Sequence, residues 1–262
     1  MSQERKNTGW KDAGFGTGLP KICVPMTSPF RGELEAFARR IRENENADAA
    51  EWRADWYGGK TGPGEAAALV KELKKNLGPK PLIFTVRSAA EGGKSEASDT
   101  EFLDLAAAAA GAGADLIDCE LSRGPAVAKA AAEAAHRSGA GIILSRHYFA
   151  ETPADDVMES ILREMNALGA DFAKLAVMPR DFSDVCRLMA VTEKVHRSLP
   201  DQHLITMSMG DLGVISRAAG ALTGSVLTFG TLGEASAPGQ PEAGKLRRAM
   251  EALWEAAGKV GC

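Results

Sequence analysis

Short apolar runs recur along the chain, rich in β-branched and aromatic residues and bounded by glycine, proline or polar turns. In order they are KICVPM from residue 21, AAEWRAD from 49, LIFTVR from 82, DLIDCEL from 115, GIILSRHY from 141, DFAKLAVM from 171, HLITMSM from 203 and VLTFG from 226. Between them lie longer stretches with apolar residues at helical spacing, among them EAAALVKELKKNL and FLDLAAAAAGAGA. The runs start 23 to 33 residues apart, the length of one strand plus a crossover helix. Eight such units predict a parallel (β/α)8 TIM barrel, α/β in class, as a single domain over 21–262. The last stretch, PEAGKLRRAMEALWEAAGKV, would close the outer ring of helices. An open doubly wound sheet is the competing arrangement. Residues 1–20 fall outside the repeat as an N-terminal extension, with no role beyond an extra strand or a plug at the barrel bottom.

Alternation along each run sorts side chains into two faces, since residues two apart on a strand point the same way. Glu51, Arg53 and Asp55 share a face, as do Ile83, Thr85 and Arg87, then Asp118 and Glu120, Ser145 and His147, and Phe172, Lys174 and Ala176. The opposite face carries Trp52, Ala54, Phe84, Val86, Cys119, Leu144, Ala173 and Leu175. Helices cover the outside of a barrel sheet, so the apolar set must face them and the charged set must face the lumen. For Glu51, Arg53 and Asp55 alone, an internal ladder of salt bridges is an equally good account. It does not extend to Lys174, His147, Arg87 and Arg217 together.

Composition narrows the class. The chain has 262 residues, 45% of them hydrophobic and 25% charged, with a net charge of −4, the profile of a globular protein rather than a nucleic-acid binder. The polar start MSQERKNTGWKDAGFG has no leader-like apolar stretch, and LAAAAAGAGA is too short to span a membrane. These features predict a cytoplasmic enzyme without nucleic-acid or membrane partners. Cys23, Cys119, Cys186 and Cys262 lack metal or redox spacing and are expected to be buried, reduced thiols. His136 and His196 fall in predicted helices and His203 beside a strand, so no histidine pair suits a metal.

The candidate chemistry centres on Lys174, in the middle of an otherwise apolar strand. An ammonium there is costly unless it is paired, solvated or deprotonated. A lysine snorkelling to the strand end is the plain explanation, and a desolvated amine kept as a nucleophile toward a carbonyl is the functional one. Arg53, Arg87 and Arg217 would supply cations that favour the free amine and would also hold an anionic substrate. An iminium on Lys174 would acidify the neighbouring C–H, and His147 on the preceding strand is the histidine placed to take that proton, with Glu91 or Glu51 to orient its ring. Two loops complete the mouth. MGDLGVISR, 209–217, delivers Arg217, and TLGEASAPGQ, 231–240, with Ser236 and Gln240, has the composition of a mobile lid, although an ordinary βα loop has it too.

Taken together and in this order, EWRAD, TVRSAAEGG, SRHYFAETP, DFAKLAVMP, SMGDLGVISR and SAPGQ resemble type I 3-dehydroquinate dehydratase along nearly the whole chain. The resemblance implies a (β/α)8 barrel, usually a homodimer, that dehydrates 3-dehydroquinate to 3-dehydroshikimate in the shikimate pathway, toward aromatic amino acids, without metal or cofactor. It implies that Lys174 forms a Schiff base with the ketone and that His147, positioned by Glu91, is the general acid and base. It also implies Glu51 and Arg53 for ring hydroxyls, Arg87 and Arg217 for polar and carboxylate groups, and Ser236 and Gln240 from the lid.

Two positions depart from the family pattern. Pro25 stands where some members have a substrate-contacting serine, so that contact is unassigned. Tyr148 follows the histidine where an acid or amide is common; parity turns it outward, which implies an indirect effect on His147. The rival readings are another lysine Schiff-base barrel, such as a class I aldolase or transaldolase, and a silent barrel that binds a polyhydroxy acid. A phosphate site near strands seven and eight would mark the first. Arg217, Ser236 and Gln240 suit a carboxylate and hydroxyls better.

Overall fold

A computed structural model describes residues 9–58, 61–233 and 235–258. Eight parallel strands alternate with helices: β1 Lys21–Met26, α1 Arg31–Glu43, β2 Ala49–Arg53, α2 Pro63–Leu77, β3 Leu82–Thr85, α3 Asp99–Gly111, β4 Leu116–Glu120 and α4 Pro125–Arg137. There follow β5 Gly141–His147, α5 Asp155–Ala167, β6 Phe172–Val177, α6 Phe182–Ser198, β7 His203–Ser208, the short α7 Val214–Ala218 and α8 Gly220–Thr223, β8 Leu227–Phe229 and α9 Ala243–Ala256. From β1 to β7 each strand pairs with the next, and β8 pairs with β1. The ring closes where the Val226 N–H donates to the Leu204 carbonyl at 2.8 Å.

Local chemistry sets the ends of the helices. Pro63 opens α2 after Gly62, where a missing N–H costs nothing, and Gly78 ends it at φ 63°. Ser98 and Glu101 form a reciprocal capping box at α3, Asp181 caps α6, and Glu242 accepts from the Gly244 and Lys245 amides at α9.

The two faces read from alternation become two separate cores. One lies between strands and helices and contains Trp52, Ala54, Phe84, Val86, Cys119, Leu144, Ala173 and Leu175. The other fills the lower half of the lumen with Cys23, Ile83, Leu116, Ile143, Phe172, Ile205 and Leu227. Trp10 and Phe15 join this second core, edge-on to Phe172 at centroid distances of 5.4 and 5.2 Å. They sit at the N-terminal strand ends, Phe172 being the first residue of β6.

A repeat at that same end was not read from the sequence. Asp48, Asp115 and Asp171 immediately precede β2, β4 and β6 or lie one residue before them, and each accepts a backbone N–H at the start of the preceding odd strand: Ile22, Leu82 and Ile142, at 2.7 to 2.8 Å. Each is met by a helix side chain, Arg247, Lys74 and His136 respectively. Ser225, before β8, accepts instead from the Thr206 N–H in the middle of β7, at 3.1 Å. Three successive pairs of βα units are therefore each tied at the base by one aspartate.

Two expectations are corrected. Strand β2 ends at Arg53, and a 3-10 turn over Ala54–Trp56 folds Asp55 back beneath that arginine, so Glu51, Arg53 and Asp55 are not three rungs of one strand face. Cys23 and Cys119 are buried, and desolvation pushes the Cys119 thiol up to about 12, but Cys186 is exposed because α6 turns it outward. Cys262, residues 1–8 of the extension and Glu234 of the expected lid lie outside the described residues. Among the described residues, no helix is long and apolar enough to cross a membrane.

Candidate active site

Above the apolar layer the lumen turns polar, and a cavity with about 500 Å³ of empty space opens at the C-terminal strand ends. Its wall contains Glu51, Arg53, Arg87, Glu91, His147, Lys174, Arg217, Ser236 and Gln240, all nine residues singled out in the sequence. Met207, Met209, Phe149 and Phe229 supply its apolar surface.

Lys174 does not snorkel. Its side chain is 5% exposed, and Nζ lies 3.0 Å from Asp118 Oδ2, 3.8 Å from Glu51 Oε1 and 4.6 Å from the Phe229 ring centroid. Its ion-pair partners are thus carboxylates. The expectation that guanidinium groups surround the amine needs correcting, because Arg87 is itself occupied. Arg87 Nη1 donates to Glu120 and Ser145, and Nη2 to Asp118. Arg53 is likewise clamped, with Nε and Nη2 on the two oxygens of Asp55 at 2.8 and 2.7 Å. Burial opposes the charge on Asp118, but Arg87 and Lys174 outweigh it and hold the carboxyl well below the usual range.

His147 ends β5 and faces the same cavity. Its Nδ1 lies 2.9 Å from Glu91 Oε2, which also accepts the His147 backbone N–H at 3.0 Å. Facing a carboxylate oxygen, Nδ1 must carry the proton, which leaves the Nε2 lone pair for chemistry. Burial and the positive charges of Arg87 and Lys174 push the imidazole well below its ordinary pKa, so it is neutral at physiological pH. Burial raises Glu91, offset by hydrogen bonds and ion pairs from Ser122, Arg87 and Arg146. The position of Glu91 depends on the glycines after it. Gly92 takes φ 79°, and a Cβ there would meet the Phe149 ring at 2.3 Å.

Arg217 is the exception among the cations. It is 1% exposed on α7, its Nη2 reaches the Pro238 carbonyl at 3.3 Å and Nη1 the Met207 sulfur at 3.4 Å, and no carboxylate of the described residues pairs with it. Desolvation pushes it down to about 10. A buried guanidinium without a counter-ion is a waiting anion site. The 235–240 segment covers this part of the cavity. Gln240 Oε1 accepts from the Ser236 N–H and hydroxyl, and Gly239 packs so closely on Gly210 that a Cβ would lie 2.2 Å from its carbonyl oxygen.

Three contributors escaped the sequence reading. Asp118 was placed in the lumen but not recognised as the partner of Lys174. Ser122 and Arg146 hold Glu91, and Arg146 stacks on Tyr148 at 5.2 Å. Tyr148 packs against the outer core, as parity implied, and touches the histidine's support through Arg146. Pro25 is not part of the cavity wall. Among the described residues, no cluster of His, Cys, Asp and Glu has the geometry to hold a metal ion.

A (β/α)8 barrel that gathers a buried lysine, a neutral histidine and a buried arginine at the C-terminal strand ends has the architecture of an α/β-barrel enzyme. A family model described as "Type I 3-dehydroquinase" matches residues 22–256, and the chain belongs to that family. It is thereby a hydro-lyase of the shikimate pathway by family. It is 42% identical over 240 residues to 3-dehydroquinate dehydratase of Bacillus licheniformis, covering 91% of this chain and 94% of that protein. The Klebsiella pneumoniae enzyme is 40% identical over 244 residues, covering 93% and 97%. Among solved structures, type I 3-dehydroquinate dehydratase from Clostridium difficile, with covalently modified comenic acid, superposes with a TM-score of 0.88 at 35% identity, covering 92% of this chain and 95% of that one.

Proposed function

We propose that this protein dehydrates 3-dehydroquinate to 3-dehydroshikimate through a Schiff base on Lys174, with His147 as general acid and base. Lys174 Nζ passes one proton to His147 Nε2, the resulting amine attacks the ketone carbon, the carbonyl electron pair moves to oxygen, and that oxygen leaves as water with one proton from the nitrogen and the one returned by His147, which leaves a C=N bond bearing the positive charge. That iminium draws the electron pair of the adjacent C–H bond, His147 Nε2 takes the proton, and the enamine formed expels the β-hydroxyl as His147 returns the proton to it. Hydrolysis of the product iminium frees the amine.

One observation carries this reading: a buried lysine and an imidazole with its free Nε2 line one cavity whose wall also holds a buried guanidinium with no carboxylate partner among the described residues. Arg217 takes the substrate carboxylate. Arg53, Glu51, Ser236 and Gln240 take ring hydroxyls. Arg87, engaged by three acceptors, holds the floor of the site. The covalent ligand named for the Clostridium difficile relative is consistent with covalent chemistry in this family. A homodimer, implied by family membership, belongs to the same proposal and is decided by sedimentation.

Borohydride reduction in the presence of 3-dehydroquinate, followed by peptide mass mapping, tests the mechanism. The expected adduct lies on the peptide containing Lys174. An adduct on any other peptide, or turnover that survives in Lys174→Met, would overturn it.

A further inference from the structure

The carboxylate beside Lys174 has no part in the scheme above, and its geometry is more specific than charge balance requires. Asp118 stands on β4, two strands from Lys174, with Ser145 of β5 between them. Its side chain is 1% exposed and is not part of the cavity wall. Its oxygens are divided. Oδ1 accepts from Arg87 Nη2 at 2.9 Å and from the Ser145 hydroxyl at 2.6 Å, while Oδ2 faces Lys174 Nζ at 3.0 Å. Two donors on Oδ1 stop the carboxylate from turning, and Lys174 is the partner that must change during the reaction.

We propose that Asp118 is a positioning residue that sets the direction in which the Lys174 Schiff base points. This rests on the Schiff-base reading. Overall, ammonium and ketone become iminium and water: two N–H protons leave with the carbonyl oxygen, C=N replaces C=O, and the nitrogen keeps one positive charge and a single N–H. An ammonium offers three N–H directions, an iminium one. With Cε held by the strand and that N–H held by Oδ2, the planar nitrogen has one direction left for C=N, and the substrate ring follows it. Hydrophobic side chains of similar volume would fill this layer at no greater cost in stability, so a buried ion pair here is not explained by folding alone.

The arrangement also says which substitution is informative. In Asp118→Asn the amide oxygen is drawn to the two donors at the Oδ1 position, which turns the NH2 toward Lys174, donor against donor. Rapid-quench borohydride trapping with intact-mass detection, on the full chain and 3-dehydroquinate, measures the result. Adduct formation in Asp118→Asn should slow by about tenfold to a hundredfold, the worth of a charged hydrogen bond, with KM within about threefold of the parent. Formate added to Asp118→Ala should restore adduct formation as its concentration rises, which a general loss of packing would not allow. Ser145→Ala keeps the anion and the Arg87 donor but loses one of the two anchors on Oδ1, and should slow adduct formation by only about threefold, since a neutral bond is worth less.

Parent-like adduct formation in Asp118→Asn, no response of Asp118→Ala to formate, or an equal loss in Ser145→Ala would overturn the proposal. If neither Asp118 variant folds, Ser145→Ala decides alone: adduct formation at the parent rate would show that anchoring Oδ1 does not matter and would overturn the proposal. Failure of the parent itself to form an adduct would instead remove the Schiff-base reading, and this proposal with it.

Discussion

One oxygen of Glu91 accepts two hydrogen bonds from His147, the backbone N–H at 3.0 Å and the ring Nδ1–H at 2.9 Å. The backbone contact fixes where the residue stands, and the ring contact fixes its tautomer and plane. The carboxylate therefore aims the Nε2 lone pair into the cavity without entering the chemistry. In Glu91→Ala the ring is free to turn and to exchange tautomers. Dehydration should fall by about tenfold to a hundredfold in kcat, within the range of a general acid–base contribution. Borohydride trapping should still mark Lys174, and loss of trapping instead would assign Glu91 to imine formation.

Because no carboxylate of the described residues pairs with Arg217, opposed effects on stability and binding are expected of its replacement. Arg217→Met removes a desolvated charge and fills its space, so the melting temperature should rise by a few degrees, the direction seen when buried charges give way to apolar side chains. Losing the partner of a substrate carboxylate should raise KM by about a hundredfold or more. Scanning calorimetry and steady-state kinetics on the same sample test both. A lower melting temperature would mean that the Pro238 carbonyl contact, not anion binding, is why the guanidinium is retained.

The neutral imidazole sets a pH prediction. Burial with Arg87 and Lys174 nearby lowers the folded pKa of His147, so the base stays unprotonated below the usual histidine range. The acid limb of kcat/KM belonging to this group should lie below about pH 6.5, and activity at pH 6 should remain close to the neutral plateau. An inflection at or above 6.5 would contradict the assignment. The same depressed pKa acts on stability. Its contribution is present above the unfolded value, about 6.5, and is lost as pH falls from there toward the folded one.

Trp10 offers a test remote from the cavity. It closes the N-terminal end of the lumen against Phe172, and a Cβ on Gly141 would meet its ring at 2.7 Å. Trp10→Ala should cost about 3 kcal/mol, the low end for removing a large buried aromatic. Urea denaturation reads the loss, and kcat at 25 °C should be unchanged because the polar layer lies above. A stability loss under about 1 kcal/mol would show that residues 9–20 rest on the barrel without supporting it.

Much of the architecture was legible from the chain because it depends on local periods. Strand and helix alternate at a spacing that neighbouring residues encode, and side-chain parity is a property of each strand alone. Eight apolar runs therefore predicted the barrel, and alternation placed Glu51, Arg87, Asp118, His147 and Lys174 inside it. The same parity turned Tyr148 outward, where it is found. Pairing was not legible. Whether Lys174 meets a guanidinium or a carboxylate depends on how far each strand is staggered against the next around a closed ring, and on rotamers chosen under mutual crowding. Only the folded barrel brings Asp118 across β5 to Lys174, occupies Arg87 with three acceptors, and leaves Arg217 without a counter-ion among the described residues. The aspartates at 48, 115 and 171 make the same point. Each stands in an Ala-Asp pair before a strand, visible in the sequence once its purpose is known, yet the amide it satisfies begins a strand 26 to 33 residues earlier. Local physics determined which groups enter the lumen, and long-range closure decided which of them touch.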